Sequence, residues 1–134
     1  MELVSIFSCS SANFATNGGI NALNIGIDKL EIERFPSQFG LILIMRFEYF
    51  PGEIGPHEAV IKFIDGDGNT KAEQKVSFTL QQGNKFHQII AGFGALLIEK
   101  ADHYRFDVIV DNDYKGYWPL EVEVRGSLPY SIEE

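Results

Sequence analysis

The sequence predicts an all-β fold in which about eight short antiparallel strands pack as a sandwich or a barrel. Apolar and polar residues alternate with a period of two in many segments. Turn-forming residues recur roughly every ten positions, as in β-sandwiches. Eleven Phe, five Tyr and one Trp add side chains that suit pleated sheet surfaces. The length of 134 residues favours a single domain over residues 1–134.

Three segments alternate clearly enough to identify the face that packs in the core. The inward positions are predicted to be Gln74, Val76, Phe78 and Leu80; Tyr104, Phe106, Val108 and Val110; and Trp118, Leu120, Val122 and Val124. Tyr104 stands at the start of a late strand, the position of the tyrosine in a tyrosine corner, where the Tyr hydroxyl holds a neighbouring loop. Further strands are expected at 3–7, 23–27, 59–63 and 86–92, whereas 95–101 fits a strand or a short helix equally well.

The strand at residues 41–50 is the most hydrophobic one and predicts an interface. Leu41, Leu43, Met45, Phe47 and Tyr49 share its inner face. Ile42 and Ile44 lie on the outer face, where a half-solvated strand would carry polar residues. We therefore expect a two-fold homodimer through Ile42 and Ile44. A loop over 13–19 or a short helix near Leu97 could cover the same residues. Val60, Ile64 and Ile109 would enlarge the apolar patch if their strands were neighbours.

Charge and cysteine content exclude several partner classes. Nineteen acidic and eleven basic residues give a formal net charge of −8, which repels phosphate backbones and anionic membranes, so no nucleic acid and no membrane partner is expected. The single cysteine, Cys9, excludes an internal disulfide. No apolar run approaches the ~18 residues of a membrane-spanning helix, and the acidic start lacks the basic region of a secretory signal. A cytoplasmic location is expected.

Several segments taken together resemble a known family. They are residues 5–9, 23–28, 43–57, 60–68, 104–111 and 118–122. Their order resembles a family of uncharacterised bacterial proteins of about this length, known only as a domain of unknown function. The resemblance implies a single immunoglobulin-like or C2-like sandwich and no known activity, and it assigns no functional residues. Asp102 stands where the family usually has a glycine before its Tyr-x-Phe strand.

The acidic segment Asp65-Gly66-Asp67-Gly68-Asn69 is a candidate calcium loop. Alternating carboxylates suit calcium, and Asp111 and Asp113 could complete the ligand set if the two loops shared one end of the sandwich. An EF-hand is excluded because its sixth and twelfth positions hold Thr70 and Val76. The favoured interpretation is a plain hairpin turn, in which Asp and Gly supply local hydrogen bonds and positive φ angles.

Other chemical motifs are weaker. Gly92-Phe93-Gly94 is followed by Leu97 where a dinucleotide fingerprint needs its third glycine. The residues His57, His87 and His103 are isolated, and no nucleophile elbow surrounds Cys9. The sequence therefore favours a non-enzymatic binding or assembly module without a cofactor or metal, whose ligand or protein partner is unidentified. The alternatives are a calcium-dependent C2-like module and a hydrolase with a spatially assembled site.

Overall fold

A computed structural model describes residues 1–125; residues 126–134 of the expected domain lie outside the described residues. The fold is all-β, as predicted, with ten strands rather than about eight and no α-helix in this part of the chain. The strands are β1 (Glu2–Cys9), β2 (Ser11–Phe14), β3 (Ile20–Leu23), β4 (Lys29–Ile32), β5 (Ser37–Glu48), β6 (Gly55–Ile64), β7 (Thr70–Leu80), β8 (Phe86–Ile98), β9 (Asp102–Val110) and β10 (Asp113–Val124). A single 3-10 turn covers Pro51–Glu53.

The ten strands form three sheets. One has the order β1-β5-β8, the second has the order β4-β10-β9-β6-β7, and the third is the hairpin β2-β3. The expectation of purely antiparallel sheets is wrong at one place, because β4 pairs in parallel with β10, from Lys29 beside Glu121 to Ile32 beside Val124. Alternation in a four-residue segment identifies a strand face but carries no information about strand direction.

The core draws its side chains from both the three-stranded and the five-stranded sheet. The predicted inner face of β5 is confirmed: its five apolar side chains are all buried in one cluster, namely Leu41, Leu43, Met45, Phe47 and Tyr49. Aromatic rings from the two sheets touch. The Phe93 ring lies 5.2 Å from that of Phe106, and the Phe47 ring lies 6.3 Å from that of Phe78, measured between centroids. Such contacts between aromatic rings stabilise the fold beyond the free energy gained by burying their apolar area.

The predicted tyrosine corner is confirmed. Tyr104 is buried, and its hydroxyl donates a hydrogen bond to the carbonyl oxygen of Lys100 at 2.8 Å. Its ring also stacks on Phe63 with centroids 4.9 Å apart. Tyr104 therefore fixes the turn between β8 and β9 to the core.

Two assignments differ from the prediction, and the structure decides one alternative that the sequence left open. The strand expected at 23–27 is not found there, because β3 ends at Leu23 and Ile25 lies exposed beyond it. Strand β8 continues to Ile98, so the segment from Ala95 to Ile98 is strand and not helix. Trp118 is half-buried at the margin of the core, where its indole N–H donates to the carbonyl of Ile27 at 2.8 Å. Long-range partners decide all three cases, and alternation does not encode them.

Matched Phe→Ala substitutions test the core. Phe106 is fully buried, whereas Phe50 is 61% exposed. Phe106→Ala should lower the free energy of unfolding by about 3–5 kcal/mol, because it leaves a cavity between the sheets. Phe50→Ala should change it by less than about 0.5 kcal/mol. Urea denaturation of both variants measures the difference, and equal losses would show that the inner faces are wrongly identified.

Candidate functional site

The segment from Asp65 to Asn69 forms the tight turn between β6 and β7. One carboxylate oxygen of Asp65 accepts hydrogen bonds from the backbone N–H groups of Asp67 and Asn69, at 3.0 and 2.9 Å. Gly68 has a φ of 88°, which its lack of a Cβ permits. These hydrogen bonds hold the pKa of Asp65 below its usual value. The turn thus has the hairpin character that the sequence favoured.

Two lysines neutralise the acidic residues of this turn. The Lys100 ammonium lies 3.4 Å from an Asp67 carboxylate oxygen and 3.7 Å from one of Asp102. Lys71 lies 3.8 Å from Asp65. Lys71 and Lys100 therefore already supply the positive charge that a bound cation would bring to this turn.

Asp102 connects this turn to β9. Its carboxylate accepts a hydrogen bond from the backbone N–H of Gly66 at 3.0 Å. A Cβ at position 66 would lie only 2.2 Å from the other Asp102 oxygen, so the close approach requires glycine there. Asp102 therefore links the turn between β6 and β7 to strand β9.

The two candidate calcium loops lie at opposite ends of the five-stranded sheet. Strand β6 pairs with β9 from Ala59 beside Val110 to Ile64 beside Arg105. The five residue steps from Ala59 to Ile64 correspond to about 17 Å along the strand. Asp65 and Asp67 follow one end of this ladder, while Asp111 and Asp113 follow the other end. The structure does not bring the four carboxylates together, and residues 1–125 contain no group of three or more side chains placed to hold a metal ion.

Calcium should therefore leave the stability unaltered. The four carboxylates are too far apart to share one ion, which needs oxygen ligands at roughly 2.3–2.6 Å. We expect the melting temperature to stay constant as calcium is raised to millimolar concentration, with magnesium as the control cation. A calcium-specific rise that Asp65→Asn removes would contradict this expectation.

His57 and Asp111 form an ion pair at the other end of the sheet. The Nδ1 atom of His57 lies at hydrogen-bond distance from a carboxylate oxygen of Asp111, and Nε2 donates to the carbonyl oxygen of Glu53 at 2.6 Å. Asp111 also accepts the backbone N–H of Glu58. Asp111 and Asn112 both have positive φ, the pattern of the two-residue turns that close antiparallel hairpins. The pair links the turn between β9 and β10 to the 3-10 turn.

The geometry of His57 favours a structural role over acid–base catalysis. Burial acts to lower its pKa, but the Asp111 carboxylate and the Glu53 carbonyl outweigh burial, so the pKa is raised. Because both ring nitrogens have acceptors, neither is free to take a proton from a nucleophile. Burial lowers the pKa of His87, whose ring stacks on Phe78. His57 also stacks on Phe78, with centroids 5.7 Å apart, whereas His103 is exposed on β9, so the three histidines do not form one cluster.

The His57–Asp111 pair predicts a specific pH dependence. A base whose pKa is raised in the folded state stabilises that state below its unfolded pKa of about 6.5 and loses this contribution as the pH rises through the folded value. The free energy of unfolding of the wild type relative to His57→Gln should therefore fall between about pH 6 and pH 9. Measuring the difference at each pH cancels the opposite contribution of His87.

His103→Gln is the matched control, because His103 lies exposed and forms no ion pair among residues 1–125. A His57→Gln variant whose stability tracks the wild type at every pH would show that the ion pair contributes nothing.

Ile42 and Ile44, the predicted interface residues, lie on the outer face of β5. Ile44 is only 2% exposed within a single chain, and Ile42 is half-buried. The hairpin β2-β3 lies against this face: β2 contacts β5, and the Gln88 amide donates to the carbonyl of Gly18 at the hairpin tip. The burial of Ile44 therefore requires no second copy, and dimerisation through this pair of residues stays a prediction.

The expected enlargement of that patch is wrong. Val60 does lie directly opposite Ile109, as neighbouring strands would require. Both strands, however, belong to the five-stranded sheet, whereas β5 belongs to the three-stranded sheet. Tyr114 pairs with Ile109 on the same face and is exposed. The two apolar surfaces are therefore separate.

A groove lies where the tip of the β2-β3 hairpin meets the ends of β5 and β8. Its volume is about 440 Å³, and it is lined by Phe14, Gly18, Arg46, Asn84, Phe86, His87 and Gln88. Phe14 and Phe86 are 59% and 41% exposed. The Arg46 guanidinium carbon lies 4.2 Å above the Phe86 ring centroid, within the range of a cation–π contact. Sequence reasoning missed this site, because its residues are brought together by tertiary structure and by no local motif.

The groove combines two aromatic rings with polar side chains. Its volume lies within the range of about 300–1,000 Å³ that ligand sites have, but its walls are more polar than those of most such sites. Arg46 is the one charged side chain among the described residues that line it. Because burial lowers the pKa of His87, the imidazole is neutral near pH 7 and leaves Arg46 to define the charge.

Comparison with known proteins agrees with the fold. Residues 4–123 match a family of unknown function (DUF6941). No functionally curated protein matches the sequence. Among solved structures, a glycosyl hydrolase family 2 member from Bacteroides cellulosilyticus DSM 14838 is similar, with a TM-score of 0.52 and 11% identity. The similarity covers 68% of this chain and 13% of that chain, so this chain spans a small part of the hydrolase. No helix in residues 1–125 has the length and apolar character to cross a membrane. The match over residues 4–123 shows that the chain belongs to the DUF6941 family.

Proposed function

We propose that this protein is a non-enzymatic binding module, a two-sheet sandwich of the immunoglobulin-like or C2-like kind that acts in the cytoplasm. Contacts such as Phe93 with Phe106 between the two larger sheets support the sandwich. The buried, unpaired Cys9 agrees with a reducing compartment. The two engaged ring nitrogens of His57 support a structural rather than a catalytic role for the Asp–His pair.

The observation that carries the proposal is the pairing of Arg46 with Phe86 in the groove. A guanidinium beside exposed aromatic rings attracts an anion that is attached to an apolar group, because the ring surfaces take the apolar part and the cation takes the charge. The chain carries a formal net charge of −8. A cationic groove on an acidic protein favours an anionic ligand at this one place. The partner is a protein segment that presents a carboxylate next to an aromatic or aliphatic side chain.

The glycosyl hydrolase in the comparison does not change this proposal. At 11% identity the likeness concerns the fold, and the hydrolase activity in its name belongs to a much longer chain. Nothing in the groove provides the pair of carboxylates that glycoside hydrolysis needs, since its described lining contains no Asp or Glu.

Phenylacetate is a suitable probe for the groove. Titrated into the labelled protein, it should shift the amide resonances of residues 14–18, 46 and 84–88, with a dissociation constant on the order of 1 mM, which is common for so small a ligand. Phenethylamine has a similar ring but the opposite charge and should cause no saturable shift, because Arg46 repels it.

Arg46→Gln should abolish saturable phenylacetate binding, whereas Lys75→Gln on β7 should preserve it. Lys75 is exposed on the other sheet and does not line the groove. Equal binding of phenylacetate and phenethylamine, or unchanged binding by Arg46→Gln, would contradict the proposed ligand chemistry.

A further inference from the structure

Strand β8 forms an open edge of the three-stranded sheet. It pairs on one side with β5 and has no strand on its other side among residues 1–125. No described backbone group forms a hydrogen bond with β8 on that open side. Its thirteen residues span about 43 Å, so a long row of backbone N–H and C=O groups is left for a partner strand.

The composition of β8 is unusual for an edge. Its sequence, FHQIIAGFGALLI, contains no Asp, Glu, Lys, Arg or Pro. Proteins normally protect edge strands with charges, proline or a covering element. The two edges of the five-stranded sheet follow this rule: β4 contains Lys29 and Glu31, and β7 contains two lysines and a glutamate.

The remaining edge, β1, is covered by β10. The Lys115 ammonium donates a hydrogen bond to the carbonyl of Met1 at 2.8 Å. A Cβ on Gly116 would lie 3.0 Å from a methyl carbon of Leu3, which shows how closely the two strands approach. Strand β7 contacts β8 but forms no hydrogen-bonded pair with it. Among the four edges of the two larger sheets, β8 alone contains no charged residue.

Two glycines lie at the centre of β8, and Gly94 belongs to a bulge, because the register with β5 shifts between the pairs Leu41–Phe93 and Phe39–Leu96. A Cβ on Gly92 or Gly94 would meet nothing within 4 Å, and neither residue has a positive φ. Gly40 on β5 differs, since its Cβ would lie 3.1 Å from the carbonyl oxygen of Gly94. A glycine inside a strand weakens it and often marks a place where another backbone approaches.

We infer that β8 pairs with β8 of a second copy of this chain, in antiparallel orientation about a two-fold axis, so that two three-stranded sheets become one six-stranded sheet. Two-fold antiparallel pairing places a strand opposite itself, and any charge near the axis would face its own copy. A strand without charged residues avoids this repulsion and can therefore pair with its own copy. The exposed residues Gly92, Gly94 and Ala95 let the second backbone approach.

The net charge favours this edge over other contacts between copies. Two chains of formal charge −8 repel each other, and the repulsion is least where the contact itself carries no charge. Ile42 lies in register with Gly92 on the outer face. The pairing would therefore place two copies of this half-buried isoleucine near the new interface, beside the strand pair rather than at its centre.

The solution mass and one glycine substitution test the inference. Size-exclusion chromatography with light scattering at micromolar concentration should give twice the 15.1 kDa chain mass. Gly92→Lys should give the single-chain mass, because two lysines then meet near the axis. Gly52→Lys is the matched control, since Gly52 also has open space at its Cβ and lies in the 3-10 turn; it should remain dimeric.

Melting temperatures establish that both variants fold, and open space at each Cβ predicts that they do. An equimolar mixture of Gly92→Lys and Gly92→Glu should regain the dimer mass, because opposite charges then face each other. A monomeric wild type, a Gly92→Lys variant that stays dimeric, or a mixture that stays monomeric would each overturn the inference. Because Phe86, His87 and Gln88 of β8 line the groove, phenylacetate binding is also measured on Gly92→Lys at its single-chain mass, which tests the groove apart from the edge.

Discussion

The presence of apolar residues on both faces of β5 is the constraint on which the rest of the structure depends. The inner face of β5 fills the core, and its outer face carries Ile42 and Ile44, which water would solvate poorly. The hairpin β2-β3 solves this problem within one chain by lying against the outer face, and Ile44 is buried as a result. The groove follows from the same arrangement, because Phe14 and Gly18 of the hairpin form one wall of it and Arg46 and Phe86 form another.

Side chains that link turns to strands hold the five-stranded sheet at both ends. At one end the Tyr104 hydroxyl and the Asp102 carboxylate attach the turns before β9 and before β7 to strand β9. At the other end the His57–Asp111 pair attaches the last hairpin to the 3-10 turn. Each linking group satisfies backbone donors or acceptors that a turn would otherwise leave to water. Two of the four candidate calcium ligands, Asp65 and Asp111, accept backbone hydrogen bonds in this way.

Alternation predicted the strand faces well, because a period of two directly reports which side chains share a surface. The inner faces of β5 and β9 and the tyrosine corner at Tyr104 followed from it. Strand partners did not follow, since pairing joins residues far apart in the sequence. The parallel β4-β10 pair and the separation of Asp65 from Asp111 both depend on register. The groove was not predictable for the same reason: Phe14, Arg46 and Phe86 belong to three different strands, and each alone is an ordinary surface residue.

The outer faces of the two larger sheets differ in polarity. The outer face of the five-stranded sheet carries lysines, glutamates and Arg105, so it is solvated along most of its length. The three-stranded sheet has apolar residues on both faces, a hairpin over part of one face, and an edge without charge. A protein that only needed stability could have placed a lysine at Gly92, where space is available. Gly92, and Arg46 beside Phe86 in the adjacent groove, therefore place both proposed association sites on the smaller sheet, while the larger sheet is the more solvated one.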